Sequence, residues 1–184
     1  MPELQNADKA CRSTRPKPQF SGPIRPNGRI WKSAEQFYKT AELVWRQDGI
    51  DLNAFVFPLI VNYALCAELS LKAAEGGAVG GGLSPGGLVK AAKIKSTAHG
   101  HNLTEVFLSL QPPTRTAIQT EFLAVSGEEL APLLERCSDY FIDARYAYER
   151  SGGSYDLSGI RTLAKGLLDA VRNFGTKGLY CSGP

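Results

Sequence analysis

Apolar residues recur along most of this chain at the three- and four-residue spacing of a helix, and no segment alternates convincingly at the two-residue spacing of a strand. A first helix is predicted from Ser33, where Ser33 and Gln36 fit a capping box and Phe37, Ala41, Val44 and Trp45 follow on one face; Asp48 and Gly49 stop it. A second helix is predicted over 55–75, ending at Gly76 and Gly77. Its stretch LIVNYALCAELSLKAA, Leu59 to Ala74, is apolar or small nearly all round, the mark of a helix buried on most sides. Pro58 is tolerable there only near the start, where its missing N–H has no helical partner to lose. Leu103, Val106, Phe107 and Leu110 make one stripe on a short helix that Pro112 and Pro113 are expected to end. A helix over 114–125 turns Ile118, Phe122 and Val125 inward. Ser126 and Glu129 form another capping box, and the helix they open holds the longest pattern, from Leu130 through Leu133, Leu134, Cys137, Phe141 and Ala144 to Tyr148, until Ser151, Gly152 and Gly153 break it. The last predicted helix covers 157–174, with Ile160, Leu163, Leu167, Val171 and Phe174 on one face.

These patterns predict an all-α protein, an up-and-down helical bundle of about five to six helices with a long Gly-rich loop. The loop, 76–87, contains seven glycines and runs on into Lys90, Lys93 and Lys95. It holds neither GxxxxGK[ST] nor GxGxxG, and it follows a helix where a phosphate-cradling loop follows a strand. It is read as a flexible connection, and its lysines as a solvated face.

Charge and composition divide the chain. Residues 1–30 carry five prolines and most of the basic excess, and are expected to be a disordered tail ahead of a helical domain over 31–176 and a flexible C-terminus over 177–184. Residues 1–32 hold seven basic and two acidic residues, whereas the remainder holds 14 basic and 16 acidic ones, which argues against a core built as a strong electrostatic nucleic-acid binder. Cys11, Cys66, Cys137 and Cys181 are too far apart for a metal knuckle or a redox pair. A zinc site from Cys66, Cys137, His99 and His101 lacks the usual local ligand pairs, so no metal and no cofactor is expected. The N-terminus has no apolar h-region, and the apolar run Ala54 to Leu65 is interrupted and short for a bilayer; a cytoplasmic protein with reduced thiols and no membrane association is the expectation.

Candidate chemistry lies in three places. Glu68 and Lys72, the charged residues of the apolar helix, stand four apart with the acid first, the favourable order for a pair on one helical face. Burying them is costly unless they are paired and hydrogen-bonded. His99, His101 and Asn102 open the short helix, and Arg145 and Tyr146 lie beside the stripe of the longest one. If those helices are neighbours, a compact group of Glu, Lys, His and Arg forms. Glu68–Lys72 then reads as an ion pair fixing helix packing or as a catalytic pair; His101 as a cap, a bridge to Glu68 or a proton-transfer group; Arg145 as an anchor to a carboxylate or helix-end carbonyls, or as a phosphate binder.

In that order NYALCAELSLKAA, GHNLTEVFLSL and FIDARYAYE resemble the HEPN superfamily, the higher eukaryotes and prokaryotes nucleotide-binding domain. The resemblance covers roughly 33–174 and rests on Glu68 and Lys72, on Gly100-His101-Asn102-Leu103 and on Arg145-Tyr146. It implies a helical bundle that forms homodimers, of the sort found in bacterial defence, toxin–antitoxin or RNA-processing systems, with an antitoxin or a nucleotidyltransferase as partner. Ribonucleases of the superfamily carry an Arg followed after four to six residues by a His on one helix. This chain departs from that pattern: neither His99 nor His101 lies on the Arg145 helix or follows an Arg at that distance, and Lys93 and Lys95 do not replace the planar fork of Arg. The expected function is therefore a non-catalytic module that binds a partner protein, nucleotide or RNA through Glu68, Lys72, His101, Asn102, Arg145 and Tyr146, with weak RNA contact from the basic tail. The alternatives are a divergent ribonuclease or nucleotide-handling enzyme using His101, Arg145 and Glu68, and a structural helical scaffold.

Overall fold

The computed structural model describes residues 26–79, 82–83, 89–90, 93–96, 98–149 and 154–177. The expectations for the tail 1–25, Cys11, the breaker Ser151-Gly152-Gly153, and residues 178–184 with Cys181 lie outside them. The architecture is all-α. Helix α1 spans Gly28–Trp45, a 3-10 turn Leu52–Phe55 leads into α2 at Val56–Ala74, and α3 (Leu103–Ser109), α4 (Pro112–Ser126), α5 (Leu130–Arg136), α6 (Tyr140–Arg145) and α7 (Leu157–Lys177) follow. The centre is α2, which packs against α1, α7, α6 and α3. Eleven of its 19 residues are buried, among them Leu59, Ile60, Tyr63 and Leu71, interspersed with Ala64, Ala67, Ala73 and Ala74, whose small side chains let neighbouring helices come close. The unit Leu52–Ala74, which includes the run Ala54 to Leu65, is at 23 residues and a mean hydropathy of 1.7 long and apolar enough to cross a membrane by length and composition alone. Half of its most apolar window is covered by the rest of the chain.

Helix α1 starts earlier than its pattern predicts. Asn27 caps it, the side-chain oxygen accepting from the Arg29 and Ile30 amides at 3.0 and 3.2 Å. Ser33 is no cap; its hydroxyl donates back to the Arg29 carbonyl within the helix. The Asn27 amide donates to the Ala73 carbonyl at 2.8 Å, so the start of α1 is tied to the end of α2. A Cβ on Gly76 would stand 2.7 Å from both Asn27 and Ile30, so the chain leaving α2 can pass this junction only as glycine.

Four further readings are corrected. Residues Gly76–Val79 (β1) and Lys93–Ser96 (β4) pair antiparallel, with Gly76 opposite Ser96, and Gly82–Leu83 (β2) pairs with Val89–Lys90 (β3). Of the Gly-rich segment, 76–79 and 82–83 are thus paired strand residues rather than a plain loop, and the rest of the segment lies outside the described residues. Glycines carry no alternating side chains, so only the partner strand KIKS held a period-two signal, too short to stand alone. Pro112 and Pro113 open α4 rather than merely ending α3, because the first turn of a helix has no use for their N–H groups. Ser126 does not cap α5; its hydroxyl donates to the Phe122 carbonyl at 2.7 Å and accepts from the Glu128 amide at 3.1 Å. Finally, the long helix expected from Leu130 to Tyr148 is interrupted at 137–139 into α5 and α6, followed by a 3-10 turn at Ala147–Glu149.

That interruption has a cause. The Ser138 carbonyl accepts from the Leu103 amide at 3.0 Å, while its hydroxyl lies 2.8 Å from the Asn102 Oδ1 and 3.0 Å from the Thr104 Oγ1. The Ser138 carbonyl is thus taken by the start of α3 instead of by the amide four residues on, as a continuous helix would require. Helix α7 holds its predicted face: Ile160, Leu163, Leu167, Val171 and Phe174 are all buried. Asp156 caps it, accepting from the Gly159 amide at 2.8 Å and pairing with Arg136 of α5 at 2.6 Å.

Candidate functional site

Helix α2 sets the site, because it carries Glu68 into the interior on the same face as Lys72. The Glu68 side chain is 4% exposed and its two oxygens are divided: Oε1 accepts from the Lys72 Nζ at 2.6 Å, and Oε2 lies 3.0 Å from the His101 Nδ1. The Lys72 ammonium also donates to the Gly100 carbonyl at 2.8 Å. Gly100 adopts φ 97°, a left-handed conformation that favours glycine and brings its carbonyl and the following histidine back over α2. A carboxylate only accepts, so it keeps the imidazole proton on Nδ1 and leaves Nε2 as the outward nitrogen. His101 is half exposed and its ring lies on Phe141 of α6, centroids 4.9 Å apart.

Arg145, one turn further along α6, places its guanidinium 5.7 Å from the centroid of the same Phe141 ring and 4.8 Å from that of Tyr146, and donates to the Tyr146 hydroxyl at 2.6 Å. Among the described residues Arg145 is seen over aromatic faces at the surface rather than on a carboxylate or helix-end carbonyls. Glu68, Lys72 and His101 are thus joined directly, and Arg145 is linked to them only through the Phe141 ring, which His101 and Arg145 both contact. Sequence reasoning placed Phe141 in the core stripe; its second role follows only from α6 lying beside α2.

Asn102 faces away from this group. It caps α3, accepting from the Glu105 amide at 2.9 Å, and donates to Asp139 at 2.9 Å. His99 is exposed. Cys66 and Cys137 are buried with free thiols, and burial raises both to about 12, so neither is a thiolate near neutral pH. Among the described residues no three His, Cys, Asp or Glu side chains gather as a metal-ligand set.

A second charged centre escaped the sequence reading. Glu42 of α1 is buried and accepts from Arg161 of α7 through two nitrogens at 2.7 and 3.0 Å, from Arg46 at 2.8 Å and from the Tyr63 hydroxyl of α2 at 2.9 Å. The Arg161 fork pulls the Glu42 carboxyl down to about 2, with help from Tyr63 and Arg46 and against the opposing effect of burial. Arg161 also lies 4.8 Å over the Trp45 ring. The available signal was a carboxylate set inside the apolar stripe of α1, between Ala41 and Val44. The chain matches no family model, no curated protein and no solved structure.

Proposed function

We propose that this chain is a HEPN-like, non-catalytic helical module that binds a phosphate-bearing partner, a nucleotide or RNA, at the surface built from His101 and Arg145. The observation that carries this reading is their gathering on one aromatic ring, Phe141, with the imidazole held from behind by buried Glu68. Arg145 offers a planar donor fork suited to phosphate, His101 offers a second nitrogen on the same Phe141 ring, and Phe141 and Tyr146 add aromatic surface. His101 is half exposed and Arg145 is exposed, so both groups are open to a partner from solvent, which favours binding over catalysis in a water-excluding site. A homodimer, an antitoxin or nucleotidyltransferase partner in a defence system, and a cytoplasmic location belong to the same proposal, and the first is tested by light scattering after size exclusion.

Fluorescence anisotropy with an end-labelled single-stranded RNA tests the reading. Saturable binding is expected, weakened about fivefold to tenfold in Arg145→Ala and in His101→Ala, with the RNA intact on a gel. Absence of binding, or binding that both variants leave unchanged, would overturn it. One observation favours a second reading, a divergent ribonuclease: the Glu68–His101 contact leaves Nε2 outward, the arrangement of a general base oriented by a carboxylate. RNA loss with the wild type that stops in His101→Ala selects that reading.

A further inference from the structure

Helices α1 and α7 both pack on α2 and on one another, and a groove of about 790 Å³ is lined by residues of the two. We infer that this groove binds a free acyl carboxylate, the head group at Arg172 and the chain along Tyr38 and Leu43. Its volume lies within the range of small-molecule sites, roughly 300–1,000 Å³. Its α1 wall runs from Trp31 to Gln47, a length of roughly 24 Å at 1.5 Å per residue, which suits an extended chain better than a compact ring. Trp31, Tyr38, Leu43 and Leu168 supply apolar lining. Trp31 is fixed by its ring nitrogen, which donates to the Leu168 carbonyl at 2.9 Å, so its face is presented without an unmet donor. Leu43 is 74% exposed at the other end, where it extends the apolar lining.

Charge selects the head group. Each carboxylate on the groove walls is already taken: Glu35 sits between Lys32 and Lys39, Glu42 between Arg46 and Arg161, and Asp169 beside Lys165. Four cations line the groove, Lys39, Arg46, Lys165 and Arg172, against three carboxylates, Glu35, Glu42 and Asp169, although residues 33–184 as a whole are slightly acidic. Arg172 meets no carboxylate among the described residues; its guanidinium lies 5.9 Å from the Trp31 ring centroid, at the end of the groove away from Leu43. A guanidinium lying over an aromatic ring keeps its donor edge for an incoming carboxylate.

Calorimetry on the full chain with dodecanoate below its micelle concentration tests this, with dodecyltrimethylammonium as a probe of similar tail and opposite charge. One dodecanoate per chain is expected, weakened about tenfold by Arg172→Gln, which removes the charge-assisted pair, and by Leu43→Glu, which sets a carboxylate against the tail. Both positions are exposed, so neither change threatens folding. Absence of saturable binding, equal binding of the cationic probe, or indifference to both variants overturns the assignment. So does a dimer that Leu43→Glu dissociates while dodecanoate fails to bind, since a second copy would then be the occupant.

Discussion

Glu42 and Glu68 are both buried carboxylates, and they are satisfied differently. Glu42 receives two arginines and a tyrosine hydroxyl from three helices, whereas Glu68 receives one lysine from its own helix and one imidazole from the segment before α3. The first arrangement closes the junction of α1, α2 and α7; the second leaves a ring nitrogen at the surface. Removing one partner of a buried pair strands its charge, so Arg161→Ala is expected to destabilise the fold. A wholly buried pair would lose ~3–5 kcal/mol; Arg46 stays beside Glu42 and Arg161 is one-third exposed, so about 2 kcal/mol is expected, read as a lower midpoint in urea.

Elements are joined here by polar groups as well as by apolar faces. The break between α5 and α6 exists because Ser138 serves the start of α3, and Ser138→Ala takes away the hydroxyl that meets Asn102 and Thr104. A loss of about 1–2 kcal/mol is expected, with faster hydrogen exchange at the Thr104 and Glu105 amides while α7 stays protected. This junction also shows what a sequence can reveal. The inward face of α7 and the buried nature of α2 were legible because apolar spacing encodes them directly. The cut in the helix from Leu130 was not, since Cys137 continues the apolar stripe and the reason for stopping lies 36 residues upstream, at Asn102. The hairpin was hidden because glycine carries no periodic signal. Of the candidate site, the Glu68–Lys72 pair and its link to His101 were legible from spacing and the cost of burying charge. Phe141 as a platform and the Glu42 centre were not, because both depend on which helices become neighbours. Asn102, grouped with the site by sequence, belongs instead to helix docking.

At the scale of the whole molecule, ionisation should bound stability from both sides. Arg161 holds Glu42 at about 2, below its ordinary 4.5, and the Gly159 amide and Arg136 hold Asp156 below its ordinary 3.8. The unfolded chain therefore takes up protons first as pH falls. The stabilisation is complete above about pH 5 and is lost as pH drops toward 2. Burial raises Tyr38 and Cys66 to about 12, from 10 and 9, so the unfolded chain gives up protons first on the alkaline side and stability declines as pH climbs from about 9 toward 12. Thermal melts across pH are expected to trace a plateau with two falling edges, and Glu42→Gln to lower the plateau while flattening the acid edge. The centrality of α2 also reaches back to the protein's birth. One of its two main covers, α1, precedes it in the chain, but the other, α7, begins at Leu157, 83 residues after α2 ends at Ala74. At roughly 5–20 residues per second, a newly emerging chain holds the α7-facing side of its greasiest stretch uncovered for several seconds, and the ribosome's attendants, rather than that later neighbour, must shelter it in that interval.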